Sequence, residues 1–128
     1  MCGRFTITRP LIEYINLFGL VPTSFEFPPQ YNAHPLQKLP VISSQKPKEI
    51  EFYQWGLVPH WAKDHSIGNK LINARAETIH EKPSFKKAFK SKRCLVLADG
   101  FYEWKKEGKQ KQPYYFHLKN HEPFVFAG

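Results

Sequence analysis

The rhythm of polar and apolar positions changes several times along the chain. Leu11, Ile15 and Phe18 recur at helical spacing behind Pro10, a residue tolerated in a first turn, and Gly19 supplies a stop, so a short amphipathic helix is predicted over 10–18. A second is predicted to start near Pro83 and to bury Phe85, Ala88 and Phe89. The stretch 21–40 holds Pro22, Pro28, Pro29, Pro35 and Pro40; proline fixes φ and lacks an N–H, so an extended surface loop is expected there. Segments 49–55, 93–99, 101–105, 113–118 and 124–127 are rich in β-branched and aromatic residues between turn formers and read as strands. Residues 106–110, with Gly108, and 119–122 read as hairpin loops. Together these predict an α+β fold, mainly antiparallel β with a barrel-like sheet and short helices.

A chain of 128 residues fits a single domain over 1–128. An apolar strand running to Gly128 would leave a bare edge, so the C-terminal part of the fold is expected to be missing. Hydrophobic residues at 41% and aromatics at 16% exclude global disorder. No apolar run nears the roughly 20 residues that cross a bilayer, and the N-terminus lacks an apolar signal region, so no membrane association is expected. Two cysteines provide no disulfide framework, and a reducing cytoplasm follows as the expected location, nucleoid-associated if the source is bacterial. The six histidines show no zinc-ligand spacing with them; no metal or other cofactor is expected, and Cys94 reads as an inert thiol.

Charge changes the picture. Between Lys82 and Lys111 lie ten basic side chains and three acidic ones, an excess of seven within a total of +8. Such a concentration is the footprint of a phosphate-backbone binder, or alternatively a solvated, solubilising face.

Several residues could carry chemistry. Removal of Met1 would give Cys2 a free α-amine beside its thiol, so that an aldehyde captured as a Schiff base could be closed into a thiazolidine; read alone, Cys2 is equally a small apolar residue near a strand. If extended, 72–77 places Asn73, Arg75 and Glu77 on one face and Ile72, Ala74 and Ala76 on the other, suiting contacts to phosphate and sugar oxygens or simply a solvated polar face. Glu103, alternating with aromatic neighbours, suits proton transfer, or pairs with Lys105 or Lys106 across a hairpin. Trp55 and Trp61 flank a turn and either stack on bases or belong to the core.

Met1–Phe5, Tyr31-Asn32 with Pro35, Trp55-Gly56 with Pro59 and Trp61, the 72–77 block and the 98–104 block (Ala-Asp-Gly-Phe-Tyr-Glu-Trp) occur in order along the chain. In this combination the sequence resembles the SRAP family, the SOS response-associated peptidases understood as abasic-site processing proteins. The resemblance implies a mainly β fold with a cationic channel for single-stranded DNA, acting as a monomer. It implies Cys2 as nucleophile toward the abasic aldehyde, Asn73 orienting the opened sugar, Glu103 as acid/base, Arg4 and Arg75 as phosphate contacts, and Pro35 and Trp61 stacking at a strand junction. Proteolysis of the protein's own N-terminus is implied through the same Cys2, Asn73 and Glu103. Family members run longer and carry a catalytic histidine in a second half that has no counterpart here, so a noncatalytic single-stranded DNA-binding module or an inactive truncated remnant stands as the alternative.

Overall fold

The computed structural model describes residues 2–128. Its frame is two four-stranded sheets. The first runs, edge to edge, β2 (Gln30–Ala33), β1 (Arg4–Ile7), β6 (Gly100–Glu107), β7 (Gln110–Phe116); the second runs β4 (Glu51–Gln54), β3 (Lys38–Ser43), β5 (Cys94–Ala98), β8 (Phe124–Ala127). Every pairing is antiparallel, in agreement with the α+β, mainly antiparallel reading.

The sheets meet through aromatic rings. Phe5 of β1 lies edge-on to Trp55 and Phe126, with centroids 5.0 and 5.6 Å away, and Phe101 of β6 reaches Phe126 at 5.9 Å. Such offset and edge-to-face pairs contribute beyond the area they bury. Helix α1 (Leu11–Phe18) adds Leu11, Tyr14 and Ile15 to the buried cluster that holds Phe5, Ile7, Leu39, Ile42 and Leu97. Gly19, at φ 60°, takes the left-handed turn that lets the Leu20 N–H donate to the Ile15 carbonyl at 3.0 Å, ending the helix where the sequence places its stop.

Four expectations change. Residues 119–122 close no hairpin, because they pass through a short 3-10 turn between β7 and β8, which belong to different sheets. The 21–40 loop contains β2 and the start of β3; Pro40 is accommodated within β3 because the β3–β5 ladder begins only at Val41. Residues 72–77 are loop and turn, so the alternation of Asn73, Arg75 and Glu77 builds no strand face. Helix α2 (Pro83–Ser91) starts at its proline as expected, but none of its side chains is fully buried; Phe85, Ala88 and Phe89 are half-buried against an open cavity.

At the turn from β5 to β6 Asp99 is 2% exposed. Its carboxylate accepts from Thr6 Oγ1 (2.5 Å), the Thr8 N–H (2.5 Å), Thr8 Oγ1 (2.7 Å) and the Arg9 N–H (3.0 Å), pinning the end of β1 across more than ninety positions of sequence. A buried carboxylate is tolerable only when so satisfied.

Candidate active site

Cys2 precedes β1 and its thiol donates to the Arg4 carbonyl at 3.1 Å. Asn73 Nδ2 donates to the Cys2 carbonyl at 2.8 Å, joining positions 71 apart. The loop bearing Asn73 is fixed from below: Trp55 Nε1 donates to the Ile72 carbonyl at 2.9 Å and the Leu57 N–H to the Leu71 carbonyl at 3.0 Å. Gly56, at φ 119°, lets the chain pass close to Gly68, since a Cβ there would sit 2.5 Å from the Gly68 carbonyl oxygen. Trp55 is thus a partly buried scaffold for this loop and also lines the neighbouring cavity.

Glu103 reaches the same place from β6. It alternates with Trp104 so as to share the sheet side of Phe101, and it stands opposite Tyr114 in the β6–β7 register. Partial burial pushes the Cys2 thiol above its ordinary pKa, and the negative charge of Glu103 pushes the same way, which places this carboxylate within electrostatic reach of the sulfur. Cys2 from the N-terminus and Asn73 from an irregular loop therefore meet, with Glu103 of the β6 strand within electrostatic reach of the sulfur.

Cys2 and Asn73 border a cavity of about 430 Å³ walled by Phe5, Trp55, Ile72, Phe85, Phe89 and Phe126, with Lys92 and Arg93 also on its lining. Cys94 lies there too, half-buried, its thiol raised by burial as suits an inert sulfur.

The other expected site residues lie outside this convergence. Arg4 Nη1 donates to Asn32 Oδ1 at 3.1 Å, on the sheet face opposite to Phe5. Arg75 is exposed on its loop and Pro35 is half-buried in the turn between β2 and β3. Trp61 is 55% exposed and borders a separate hollow with Lys63 and Lys70. Asn32 and Trp55, which orient Arg4 and the Asn73 loop, carry no local signal of those roles; only their place in the recurring blocks marks them.

The family model for the SOS response associated peptidase (SRAP) matches residues 1–128. The chain belongs to the SRAP family. It is 47% identical to the abasic site processing protein YoqW of Bacillus subtilis, over 100% of this chain and 59% of that protein. To YedK of Escherichia coli, also an abasic site processing protein, it is 32% identical over 99% of this chain and 58% of that one. A crystal structure of a Bacteroides thetaiotaomicron protein superimposes with a TM-score of 0.83 at 30% identity, covering 98% of this chain and 58% of its own. This SRAP chain thus spans somewhat under two thirds of the length of these relatives. Its sequence blocks fall on β1, the β2–β3 turn, the Trp55–Trp61 stretch, the Asn73 loop and β6.

Proposed function

We propose that this SRAP chain processes abasic sites in single-stranded DNA by covalent capture on Cys2, as part of a DNA-damage (SOS) response. The observation that carries the reading is the hydrogen bond between Asn73 and Cys2 on the wall of a cavity, with Glu103 within electrostatic reach of the Cys2 sulfur. Met1, whose removal the chemistry requires, lies outside the described residues. Its release is hydrolysis of the Met1–Cys2 peptide bond, consuming one water and freeing the Cys2 amine, with the same three side chains serving this autoproteolytic step.

The freed amine attacks the ring-opened sugar aldehyde to give a carbinolamine. Glu103 relays the carbinolamine N–H proton to the departing hydroxyl, which leaves as water and yields the imine. The Cys2 sulfur then bonds to the imine carbon while the thiol proton passes to nitrogen, closing a five-membered thiazolidine with one water lost overall. Ring closure is intramolecular and strongly favoured by proximity. Asn73, bonded to the Cys2 carbonyl, holds the nucleophile's backbone and can turn a polar edge to the opened sugar. Arg4 and Arg75 offer bidentate donors to phosphates, while Pro35 and the exposed Trp61 offer surfaces for a base at a strand junction. The chain would act as a monomer.

Single-stranded DNA carrying an enzymatically generated abasic site, incubated with the protein and run on a denaturing gel, tests this. A slow-migrating species that disappears in Cys2→Ala is expected. Parent protein that binds the DNA but gives no such species would be a noncatalytic DNA-binding module instead.

A further inference from the structure

The excess charge of 82–111 is divided by the fold into two separate places. Lys105, Lys106, Lys109 and Lys111 sit on the β6–β7 hairpin, where Lys105 pairs with Glu107 at 3.0 Å. Lys82, Lys86, Lys87, Lys90, Lys92 and Arg93 belong to α2 and its flanks, a stretch of twelve residues without one carboxylate. Among the described residues none of these five lysines is in an ion pair. The nearest acid in sequence, Glu81, faces His80 at 3.3 Å.

The start of this helix is charged unfavourably. No acidic residue stands in its first turn and Lys82 at the N-cap makes no side-chain cap, while Lys90 in the last turn complements the macrodipole. Lys82, Lys86 and Lys90 are four apart, so neighbours on that stripe repel. The stripe advances about 6 Å per step along the helix. Its inner face is committed to the cavity through Phe85, Ala88 and Phe89, and Lys92 and Arg93 at its end line that same cavity as Cys2. Arg93 is held by Phe89, 4.9 Å from the ring centroid.

We propose that the outer face of α2 is a sequence-independent docking surface for the backbone of a DNA strand passing the Cys2 site, and that the hairpin lysines are not. This rests on the nucleic-acid part of the reading above and adds where the phosphates lie. A polyanion offsets the lysine repulsion, so the stripe is neutralised only in the complex.

The experiment measures binding of the full chain to an unmodified single strand of about thirty nucleotides across a salt series, so that the readout does not depend on Cys2 chemistry. Replacing Lys86, Lys87 and Lys90 together by glutamine is expected to lower affinity at least tenfold at low salt and to reduce the salt slope by about 2, from roughly 0.7 per phosphate contact. Lys86→Glu alone is expected to raise the melting temperature while weakening binding, a pairing that misfolding does not produce. The same slope and affinity in the α2 triple variant, or an equal loss when Lys105, Lys109 and Lys111 become glutamine, would overturn the proposal. Crosslinking of abasic DNA by the parent, lost in Cys2→Ala, reports on the underlying reading separately.

Discussion

Asn73 is bonded to Cys2 across 71 positions and Glu103 acts on the same residue through its charge, so each contributes differently. Glu103 adds negative charge near a thiol already disfavoured as thiolate by partial burial. Glu103→Gln removes that charge, so the Cys2 pKa falls and thiol alkylation at neutral pH speeds up, while thiazolidine formation slows for want of a proton relay. Alkylation rates and gel yields, read on the same variant, check the two opposite signs; if both fall together, the carboxylate has another role. Asn73→Ala removes the 2.8 Å bond to the Cys2 carbonyl, a loss of about 1 kcal/mol, and is expected to slow capture roughly tenfold without moving the thiol pKa. Away from the site, the Tyr14 hydroxyl is buried with no hydrogen-bond partner among the described residues, and burial with the nearby Asp99 keeps it protonated. Tyr14→Phe is therefore expected to stabilise the fold by about 1 kcal/mol, read from the urea midpoint.

Elements show what a sequence can and cannot disclose. Helix α1 was legible because Leu11, Ile15 and Phe18 lie on one stripe and Gly19 stops it, and β8 because its four apolar residues stand between turns. β1 and β2 are four residues each, too short for alternation to rise above chance, and β3 was hidden by Pro40, whose cost depends on where the neighbouring ladder starts. The Asn73 loop looked like a strand because small apolar and polar residues alternate there. What decides its shape are bonds from Trp55 and Leu57, seventeen and fourteen positions away. At the site, the blocks that carry the family resemblance pointed to Cys2, Asn73 and Glu103, whereas the bond from Asn73 to Cys2 is a contact that no local pattern records. The Asp99 junction is similarly nonlocal and gives an element-scale prediction: Asp99→Ala leaves the donors of Thr6, Thr8 and Arg9 unmatched and is expected to cost about 3 kcal/mol or more in urea unfolding, with β1 the first strand to lose amide protection.

On the scale of the whole molecule, the +8 excess acts on folding and on binding with opposite signs. In the free protein the excess is self-repulsive, and the described ion pairs, such as Arg9–Glu13 and Lys46–Glu49, are exposed enough to contribute little. Added salt screens both, but repulsion among surplus lysines outnumbers the attractions, so the melting temperature of the free chain is expected to rise with sodium chloride over the range where the Debye length shrinks from about 30 to about 8 Å. Chloride is the suitable anion, because sulfate and phosphate strengthen apolar burial on their own. DNA affinity must fall over the same range as bound phosphates are replaced by free anions. Thermal melts with and without single-stranded DNA, taken at each salt concentration, separate the two: the stabilisation conferred by DNA should shrink to nothing as the intrinsic melting temperature climbs. A free-chain melting temperature that falls with chloride would mean that the attractive pairs dominate and that the cationic surplus is already compensated within the fold, leaving no electrostatic incentive for α2 to take up a polyanion.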